Sequence, residues 1–467
     1  MEADLTPSPG ERYRRLSLWW DGLRSPIGVR EPLDGDTEVD VAVVGGGLTG
    51  LWTAYYLIEA DPTLRIVVLE RDVAGFGASG RNGGWCSALF SVSEATLDAR
   101  CGPGSGRAQR LAMEDTVREV GRVVAAEGIG CGFHPGGTVV LARTPAQLER
   151  TRREVADARA RGVGEDDLAF LSPAEARARV ATSGVLGGTF TPHCAAVDPA
   201  RLVRGLAEVV ERRGVRICEQ TPVQAIAPGS VRTDRGTVRA DTVVRATEGY
   251  TRTLAGHTRD VVPVYSLMIA TEPLADSFWA EHGLADRETF ADHRHLVIYG
   301  QRTEDGRLAF GGRGAPYHFG STIRPEFDRD DAVHDGLRRT LVDLFPALDG
   351  VAVTHRWGGP LGIARDWFSS VGMDPRTRMA WAGGYVGDGL STTNLAGRTL
   401  RDLVLGRSGD LTALPWVNHR SRSWEPEPFR YLGINAGLRL AGTADRAEDR
   451  RGRATWHTRA LDRLVGG

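Results

Sequence analysis

The sequence of 467 residues contains no lysine, so all 58 of its basic side chains are arginines. This absence excludes chemistry that needs a lysine amine, such as a pyridoxal phosphate Schiff base, a P-loop phosphate site or a lysine general base. The five cysteines are widely spaced and form no CxxC pair, which argues against a disulfide framework and against a zinc site. We therefore expect a protein of the reducing cytoplasm without a metal site.

Excess charge and long apolar runs are also missing. The 58 basic residues are balanced by 60 acidic residues, so no strongly charged surface for nucleic acid is indicated. No apolar stretch approaches the roughly 20 residues that span a bilayer, and the first forty residues contain no apolar signal-peptide core. The sequence predicts neither a nucleic-acid partner nor a membrane span, and its length predicts two or three domains.

The most informative stretch is residues 39–72. An apolar run leads into the pattern Gly45-x-Gly47-x-x-Gly50, an apolar helical pattern follows, and a second apolar run ends at Glu70, twenty positions after the last glycine. Strand, tight turn, helix and terminal acid in this order match the dinucleotide-binding βαβ fingerprint. We predict that the helix N-terminus holds a pyrophosphate and that the acid accepts hydrogen bonds from ribose hydroxyls.

Two further glycine-rich segments lie along the chain. Residues 75–85 are a loop dense in glycine, a composition typical of backbone that approaches a ligand closely. Residues 379–406 read as a strand, a glycine turn and a helix, a pattern that an ordinary βα turn also shows. Between them, residues 185–246 have α/β character, whereas residues 261–354 contain longer alternating strands that indicate an antiparallel sheet in a separate domain.

Together the segments VVGGGLTG, GASGRNGG, ADTVVRATEGY and GGYVGDGLSTTNLAGRTLRDLVLG resemble the FAD-dependent D-amino-acid oxidase superfamily. Within it, the chain is most similar to the amine oxidoreductase branch that includes gamma-glutamylputrescine oxidoreductase. The resemblance covers residues 35–410. It implies an α/β (α+β) protein with a glutathione-reductase-like, FAD-binding Rossmann domain and an antiparallel-sheet substrate domain.

The resemblance implies the two domains, and the composition of the segments before and after them indicates an arm and a tail. We expect an N-terminal arm of residues 1–36 and a helical tail of residues 411–467. Between them, a discontinuous FAD-binding domain is formed by residues 37–100, 185–255 and 355–410, and a substrate domain by residues 101–184 and 256–354. The arm is expected to pack Trp19 and Trp20 on the main body.

Cofactor contacts carry over onto the matching positions of this sequence. The resemblance assigns the pyrophosphate to Gly45, Gly47 and Gly50, and the adenosine to Glu70, Arg71 and Val223. It assigns the middle of the flavin to Ser79, Arg81, Asn82 and Gly83, and a strand-end contact to Thr247. The pyrimidine edge of the ring is assigned to Gly384, Gly387, Gly389, Leu390 and Ser391. Relatives that attach FAD covalently use a cysteine or histidine. The glycine-dense loop offers neither residue before Cys86, and residues 355–372 contain no cysteine, so non-covalent FAD is expected.

The implied reaction removes a hydride from the carbon next to an amine nitrogen of an amine, polyamine or amino acid. The resulting imine hydrolyses to an aldehyde or oxo acid, and the electrons pass to dioxygen, with peroxide formed, or to another acceptor. Sarcosine-oxidase-like relatives use a lysine in the dioxygen step, and this chain has none. Two alternatives stay open, a flavin-dependent desaturase or tailoring enzyme acting on an amine-containing intermediate and a non-catalytic flavin-binding protein.

Candidate substrate contacts are aromatic or polar residues near predicted strand ends, namely Trp357, Tyr265, Tyr299, His318 and Arg302. An aromatic wall would exclude water and bind a cation, and an arginine would grip a carboxylate in bidentate fashion. The alternative for Trp357 and Tyr299 is a place in the core. For Arg302 it is a structural or solvated ion, and for His318 an ordinary hydrogen-bonded side chain.

Overall fold

The computed structural model describes residues 10–451. Residues 1–9 of the predicted arm and residues 452–467 of the predicted tail lie outside this range. Inside it, Trp19 and Trp20 are buried against the main body, as the sequence predicts. No helix described between residues 10 and 451 is long and apolar enough to cross a membrane.

Eighteen strands and twelve α-helices make up the described chain. The strands are β1 (Thr37–Val44), β2 (Ile66–Leu69), β3 (Trp85–Ser87), β4 (Thr138–Ala142), β5 (Ala169–Leu171), β6 (Gly187–Thr191), β7 (Cys194–Ala196), β8 (Arg216–Cys218), β9 (Val223–Ala227), β10 (Ser230–Thr233), β11 (Thr237–Arg245), β12 (Val261–Thr271), β13 (Thr289–Asp292), β14 (Ile298–Arg302), β15 (Leu308–Gly312), β16 (Val353–Ala364), β17 (Ser370–Asp374) and β18 (Met379–Gly383). The helices are α1 (Glu11–Arg14), α2 (Leu18–Asp21), α3 (Leu48–Ala60), α4 (Glu94–Cys101), α5 (Ser105–Ala126), α6 (Pro145–Ala160), α7 (Pro173–Arg179), α8 (Pro199–Arg212), α9 (Asp276–His282), α10 (Asp331–Leu344), α11 (Gly389–Val404) and α12 (Phe429–Arg451).

The first sheet has a parallel centre. Its order is β17-β18-β11-β1-β2-β8, and a β9–β10 hairpin extends from β11. Strand β1 pairs in parallel with both β2 and β11, and the valines at its end are buried. A continuous apolar run of this kind suits a strand that is covered on both faces. The predicted βαβ unit is therefore present as β1, α3 and β2.

The second sheet is antiparallel except at one pair. Its order is β16-β12-β15-β14-β13-β4-β6-β5, and only the β4–β13 pair among its described strands is parallel. Strands β12 and β16 pair along eleven residues of β12. The predicted helix over residues 331–344 is α10, which packs on this sheet through Leu337 and Leu341.

The structure differs from the predicted division of the chain at three elements. Strands β6 and β16 belong to the second sheet, although their residues fall in ranges assigned to the FAD-binding domain. Their backbones pair with β4 and β12, and this pairing leaves no local mark in the sequence. Helix α5 falls in the range assigned to the substrate domain, but its apolar face packs in the first core with α3.

A close helix crossing in the first core joins α3 to α11. A Cβ atom added at Gly397 of α11 would lie 2.7 Å from the backbone carbon of Trp52 in α3, so only glycine fits at this crossing. The contact is reinforced by Asn394, whose side-chain amide donates to the Tyr56 hydroxyl at 2.8 Å. Both helices are thereby held in one fixed relation.

We expect Gly397→Ala to lower the free energy of unfolding by about 2 kcal/mol, because an extra methyl group overpacks a crossing that cannot open. The measurement is the thermal or urea unfolding midpoint. Gly433→Ala in α12 is the matched control, since its added Cβ meets no atom within 4 Å. Equal midpoints for the two variants would contradict the close crossing.

Candidate active site

A cavity lies where the two sheets meet. One part is lined by the ends of β1 and β2, the turn after β11 and the start of α3, and another part by residues of β12, β14 and β16. The carboxyl ends of parallel strands in an open α/β sheet are the usual place for a ligand. The cavity therefore combines a dinucleotide-type site with a second wall from the antiparallel sheet.

The glycine turn between β1 and α3 is fixed by backbone contacts. Gly45 has a φ of 111° and its N–H donates to the Leu69 carbonyl at 2.9 Å. A Cβ at Gly45 would lie 2.5 Å from the Ala246 carbonyl oxygen, and one at Gly50 would lie 2.0 Å from the Gly45 carbonyl oxygen. Glycine at these positions lets β1, α3 and the end of β11 approach one another, and the N-terminus of α3 opens on the cavity.

Glu70 ends β2 beside this turn. Its carboxylate accepts hydrogen bonds from the N–H groups of Gly46 at 2.8 Å and Asp72 at 2.9 Å. Burial raises the pKa of Glu70 to about 7, although both N–H groups favour the ionised form. The side chain is thus an acceptor held at the cavity wall, as the fingerprint predicts.

The glycine-dense loop after β2 forms the adjoining wall. The Ser79 hydroxyl accepts from the Leu48 N–H, the first of α3, at 2.9 Å. The buried Arg81 guanidinium pairs with Asp328 at 2.6 Å and donates to the Tyr250 hydroxyl at 3.0 Å and the Gly358 carbonyl at 3.2 Å. Arg81 therefore ties this loop to β16 of the second sheet.

The turn before α11 forms the opposite wall. Gly387, Gly389, Leu390 and Ser391 line the cavity, and Gly387 has a φ of 107°. The Ser391 hydroxyl donates to the Ser87 carbonyl in β3. The N-terminus of a second long helix thus reaches the same cavity as that of α3.

Most of the predicted cofactor positions come together in this way. The predicted residues that line the cavity are Gly45, Gly47, Glu70, Arg71, Ser79, Arg81, Asn82, Gly83, Val223, Thr247, Gly387, Gly389, Leu390 and Ser391. Two do not line it. Gly50 serves the close contact of α3 with the glycine turn, and Gly384 donates its N–H to Glu248 at 2.7 Å behind the wall.

Only one of the five predicted substrate contacts lines the cavity. The Tyr299 ring does so between Gly83 and Gly311, with its hydroxyl 2.8 Å from the Ser266 hydroxyl. Tyr265 points to the opposite face of β12, in the core of the second sheet. This is a consequence of strand alternation, because its neighbour Ser266 takes the cavity side.

The other three positions are corrected as follows. Trp357 is buried beneath Trp19, and its indole N–H donates to the Arg81 carbonyl at 2.9 Å, so it is the core aromatic of the alternative interpretation. His318 stacks on Phe327 outside the cavity. Arg302 lies over the Trp279 ring, also outside the cavity, and is structural.

The cavity residues outside the predicted site include three charged side chains, those of Glu248, Asp388 and Arg313, and the aromatic ring of Trp85. Glu248 and Asp388 are carboxylates whose pKa values burial raises to about 7 and about 6, respectively. Burial lowers the pKa of Arg313. Trp85 presents a ring at 6.1 Å from Tyr299. Two sequence features could have indicated these residues, namely a charged residue after the apolar β11 and an arginine in the bend Gly311-Gly312-Arg313-Gly314. Neither feature indicates where the side chain points.

The geometry defines a dinucleotide-binding protein with a second sheet over the site, and comparison with known proteins names its family. Residues 40–403 match the model of the FAD dependent oxidoreductase family DAO, so the chain belongs to this family. It is 31% identical over 411 residues to the probable oxidoreductase OrdL of Rhizobium meliloti (strain 1021), covering 85% of this chain and 90% of the relative. It is 30% identical to gamma-glutamylputrescine oxidoreductase of Escherichia coli (strain K12), covering 83% and 89%.

Solved structures share the fold. Glycine oxidase from Geobacillus kaustophilus superposes with a TM-score of 0.69 at 21% identity, over 82% of this chain and 99% of that one. L-proline dehydrogenase from P. horikoshii superposes with a TM-score of 0.67 at 18% identity, over 82% and 98%. The predicted superfamily and fold class are therefore confirmed.

FAD is the cofactor of this family, and the residues present fit it. The cavity offers a glycine turn at a helix N-terminus for a pyrophosphate, an acceptor carboxylate at the end of β2 and a second helix N-terminus at its far wall. No cysteine or histidine is found among the described residues that line it. These features agree with the predicted non-covalent FAD, and the protein is an FAD-dependent oxidoreductase.

We expect the stability of the cofactor-free protein to depend on pH through Glu70. Because the folded protein holds this proton more tightly than the unfolded chain, the stabilisation is complete below pH 4.5 and is lost as the pH rises to about 7. Relative to Glu70→Gln, the wild type should lose about 3 kcal/mol between pH 4.5 and 8. Parallel thermal-unfolding profiles for the two proteins would contradict the raised pKa.

We expect Gly47→Val to yield colourless protein. A Cβ at Gly47 would already lie 2.9 Å from the Ser79 hydroxyl, and a branched side chain would fill the space before the α3 N-terminus. The measurement is the flavin absorbance of the purified variant, with Gly442→Ala in α12 as the control. A yellow Gly47→Val protein would refute the pyrophosphate assignment.

Proposed function

We propose that the protein oxidises an amine that also carries a carboxylate group, which makes an amino acid or an N-substituted amino acid the substrate class. A hydride leaves the carbon next to the nitrogen, and the imine hydrolyses to an oxo acid or aldehyde. FAD, when bound, supplies the hydride acceptor. The relatives, which include a gamma-glutamylputrescine oxidoreductase and a glycine oxidase, support the general reaction.

The single observation that carries the substrate class is the state of Arg313. Its guanidinium lines the cavity and donates to the Val386 carbonyl, and no carboxylate among residues 10–451 lies within ion-pair distance of it. The two other arginines of the cavity, Arg71 and Arg81, are paired with Asp72 and Asp328. Asp388, a carboxylate of the same cavity, acts on Arg313 from beyond ion-pair distance. A buried cation whose acidic neighbour makes no direct ion pair with it favours an anionic ligand, and the arginine fork fits a carboxylate.

The walls around Arg313 suit an apolar substrate body. Aliphatic side chains from four segments line this end, namely Leu89, Val140, Ala291, Val297 and Ile298, with Trp85 and Tyr299 beside them. Such walls would exclude water, and Arg313 would orient the substrate from one end. Hydride loss from a neutral amine needs no acid–base residue, and the proposal assigns none.

The electron acceptor is proposed to be dioxygen, with peroxide formed. The lysine-free chain leaves Arg313 as the cation that would favour a negatively charged reduced oxygen species near the ring. We propose a cytoplasmic location because all five cysteines are free thiols, one of them exposed.

The direct test is an anaerobic titration of the yellow protein with amino acids, N-methylated amino acids, polyamines and the decarboxylated amine of each amino acid. We expect carboxylate-bearing amines to bleach the flavin absorbance, and admission of air to restore it. Bleaching by polyamines alone would refute the substrate class, and bleaching that air does not reverse would refute dioxygen as acceptor. A yellow protein that no amine bleaches would favour the tailoring or non-catalytic alternatives.

We expect Arg313→Met to raise the concentration of carboxylate substrate needed for half-maximal bleaching at least tenfold, because the buried ion pair with the substrate is lost. Decarboxylated amines should be little affected. Arg302→Met is the matched control, since this guanidinium lies over Trp279 outside the cavity. An equal effect on both substrate types would contradict the assigned carboxylate contact.

A further inference from the structure

Glu248 joins three parts of the chain through one carboxylate. It follows β11 and accepts hydrogen bonds from the N–H groups of Gly384 at 2.7 Å, Tyr385 at 3.2 Å and Gly362 at 3.2 Å. The first two belong to the turn before α11, and the third belongs to β16 of the second sheet. The side chain also lines the cavity.

The surrounding backbone is built to admit this carboxylate. A Cβ at Gly362 would lie 2.9 Å from the Glu248 carboxylate, and one at Gly383 would lie 2.8 Å from it. Glu248 itself has a φ of 39°, which is uncommon for a residue with a side chain and costs conformational energy. A strained residue whose carboxylate meets three converging donors is held there by those contacts.

The turn that Glu248 holds is built mainly from residues with a positive φ. These are Gly383, Gly384, Val386 and Gly387, and the three glycines among them contribute no side-chain packing. The turn nevertheless determines where the N-terminus of α11 meets the cavity. Restraints from outside the turn come from Glu248, from Arg313, which donates to the Val386 carbonyl, from the Ser369 hydroxyl, which donates to the Gly384 carbonyl at 3.1 Å, and from the Tyr385 hydroxyl, 3.0 Å from the Thr49 hydroxyl in α3. Of these side chains, Glu248 also accepts from an N–H group of β16.

We propose that Glu248 is a positioning residue for FAD, whose carboxylate fixes the turn before α11 against strand β16. The carboxylate accepts hydrogen bonds from backbone N–H groups, so Glu248 acts on the cofactor by fixing the positions of Gly387 and Gly389 at the cavity wall. The nearby charged groups are consistent with this role. Arg245 on β11 acts on the carboxylate from a distance and has its own partner, Asp260, at 3.4 Å. The inference concerns the FAD site and is independent of the substrate proposed above.

The test compares Glu248→Gln with the wild type. An amide keeps the size of the side chain but replaces one acceptor oxygen by a donor facing N–H groups. We expect FAD to dissociate at least fivefold more readily in reconstitution titrations followed by flavin fluorescence, and the midpoint potential of bound FAD to shift. Hydrogen exchange should accelerate at the amides of Gly362, Gly384 and Tyr385.

Glu427→Gln is the matched control. The Glu427 carboxylate also accepts two backbone N–H groups, those of Gly320 and Tyr431, but it does not line the cavity. We expect it to leave FAD affinity, potential and exchange at the three amides unchanged. The proposal is overturned if Glu248→Gln binds FAD within twofold of the wild type at an unchanged potential, or if both variants weaken FAD equally.

If Glu248→Gln fails to fold, the proposal is tested on the wild-type protein. Slow hydrogen exchange at the amides of Gly362, Gly384 and Tyr385 in the folded wild type, with and without FAD, would support the positioning role of Glu248. Exchange as fast as that of exposed loop amides would overturn it, because groups that a carboxylate holds are protected from exchange.

Discussion

The crossing of α3 and α11 at Trp52 and Gly397 is the contact on which the site depends. Each of these helices begins at a glycine turn, and each turn opens on the same cavity. Because the helix backbones touch with no room for a Cβ at Gly397, neither helix can slide without moving its N-terminus. The two partial positive charges at the helix ends are therefore held at a fixed separation along the cavity.

The second sheet is joined to this frame by polar contacts at its nearest strand. Arg81 donates to the carbonyl of Gly358, and Glu248 accepts from the N–H of Gly362, so β16 is held at two points. The residues between these points, from Gly359 to Leu361, line the cavity. This part of the cavity wall is thus positioned by charged side chains that belong to the dinucleotide-binding half.

The sequence predicted what depends on local spacing and missed what depends on register. The βαβ unit, with Glu70 twenty positions after Gly50, is encoded within one short stretch, and its predicted positions Gly45, Gly47, Glu70 and Arg71 line the cavity. The other predicted positions that line it came from the resemblance of further segments to the family. On the substrate side, a shift of one residue along β12 exchanges Tyr265 for Ser266 as the cavity residue. Tyr265 and Trp357 were predicted as substrate contacts because they are aromatic, but aromatic side chains also fill the two adjoining cores. Which residues of β12 and β16 face the cavity depends on the pairing of these two strands, and this pairing is a long-range contact.

The absence of lysine has a consequence for how the site can respond to pH. Arginine does not lose its proton in the physiological range, so Arg81 and Arg313 keep their charges, and no histidine is found among the described residues of the cavity wall. The cavity groups that titrate near neutrality are carboxylates, with pKa values that burial raises to about 7 for Glu70 and Glu248 and to about 6 for Asp388. Protonation at mild acidity would remove negative charge from the walls and leave the fixed cations in excess. Any pH dependence of ligand binding between pH 5 and 8 should therefore favour anionic ligands on the acidic side.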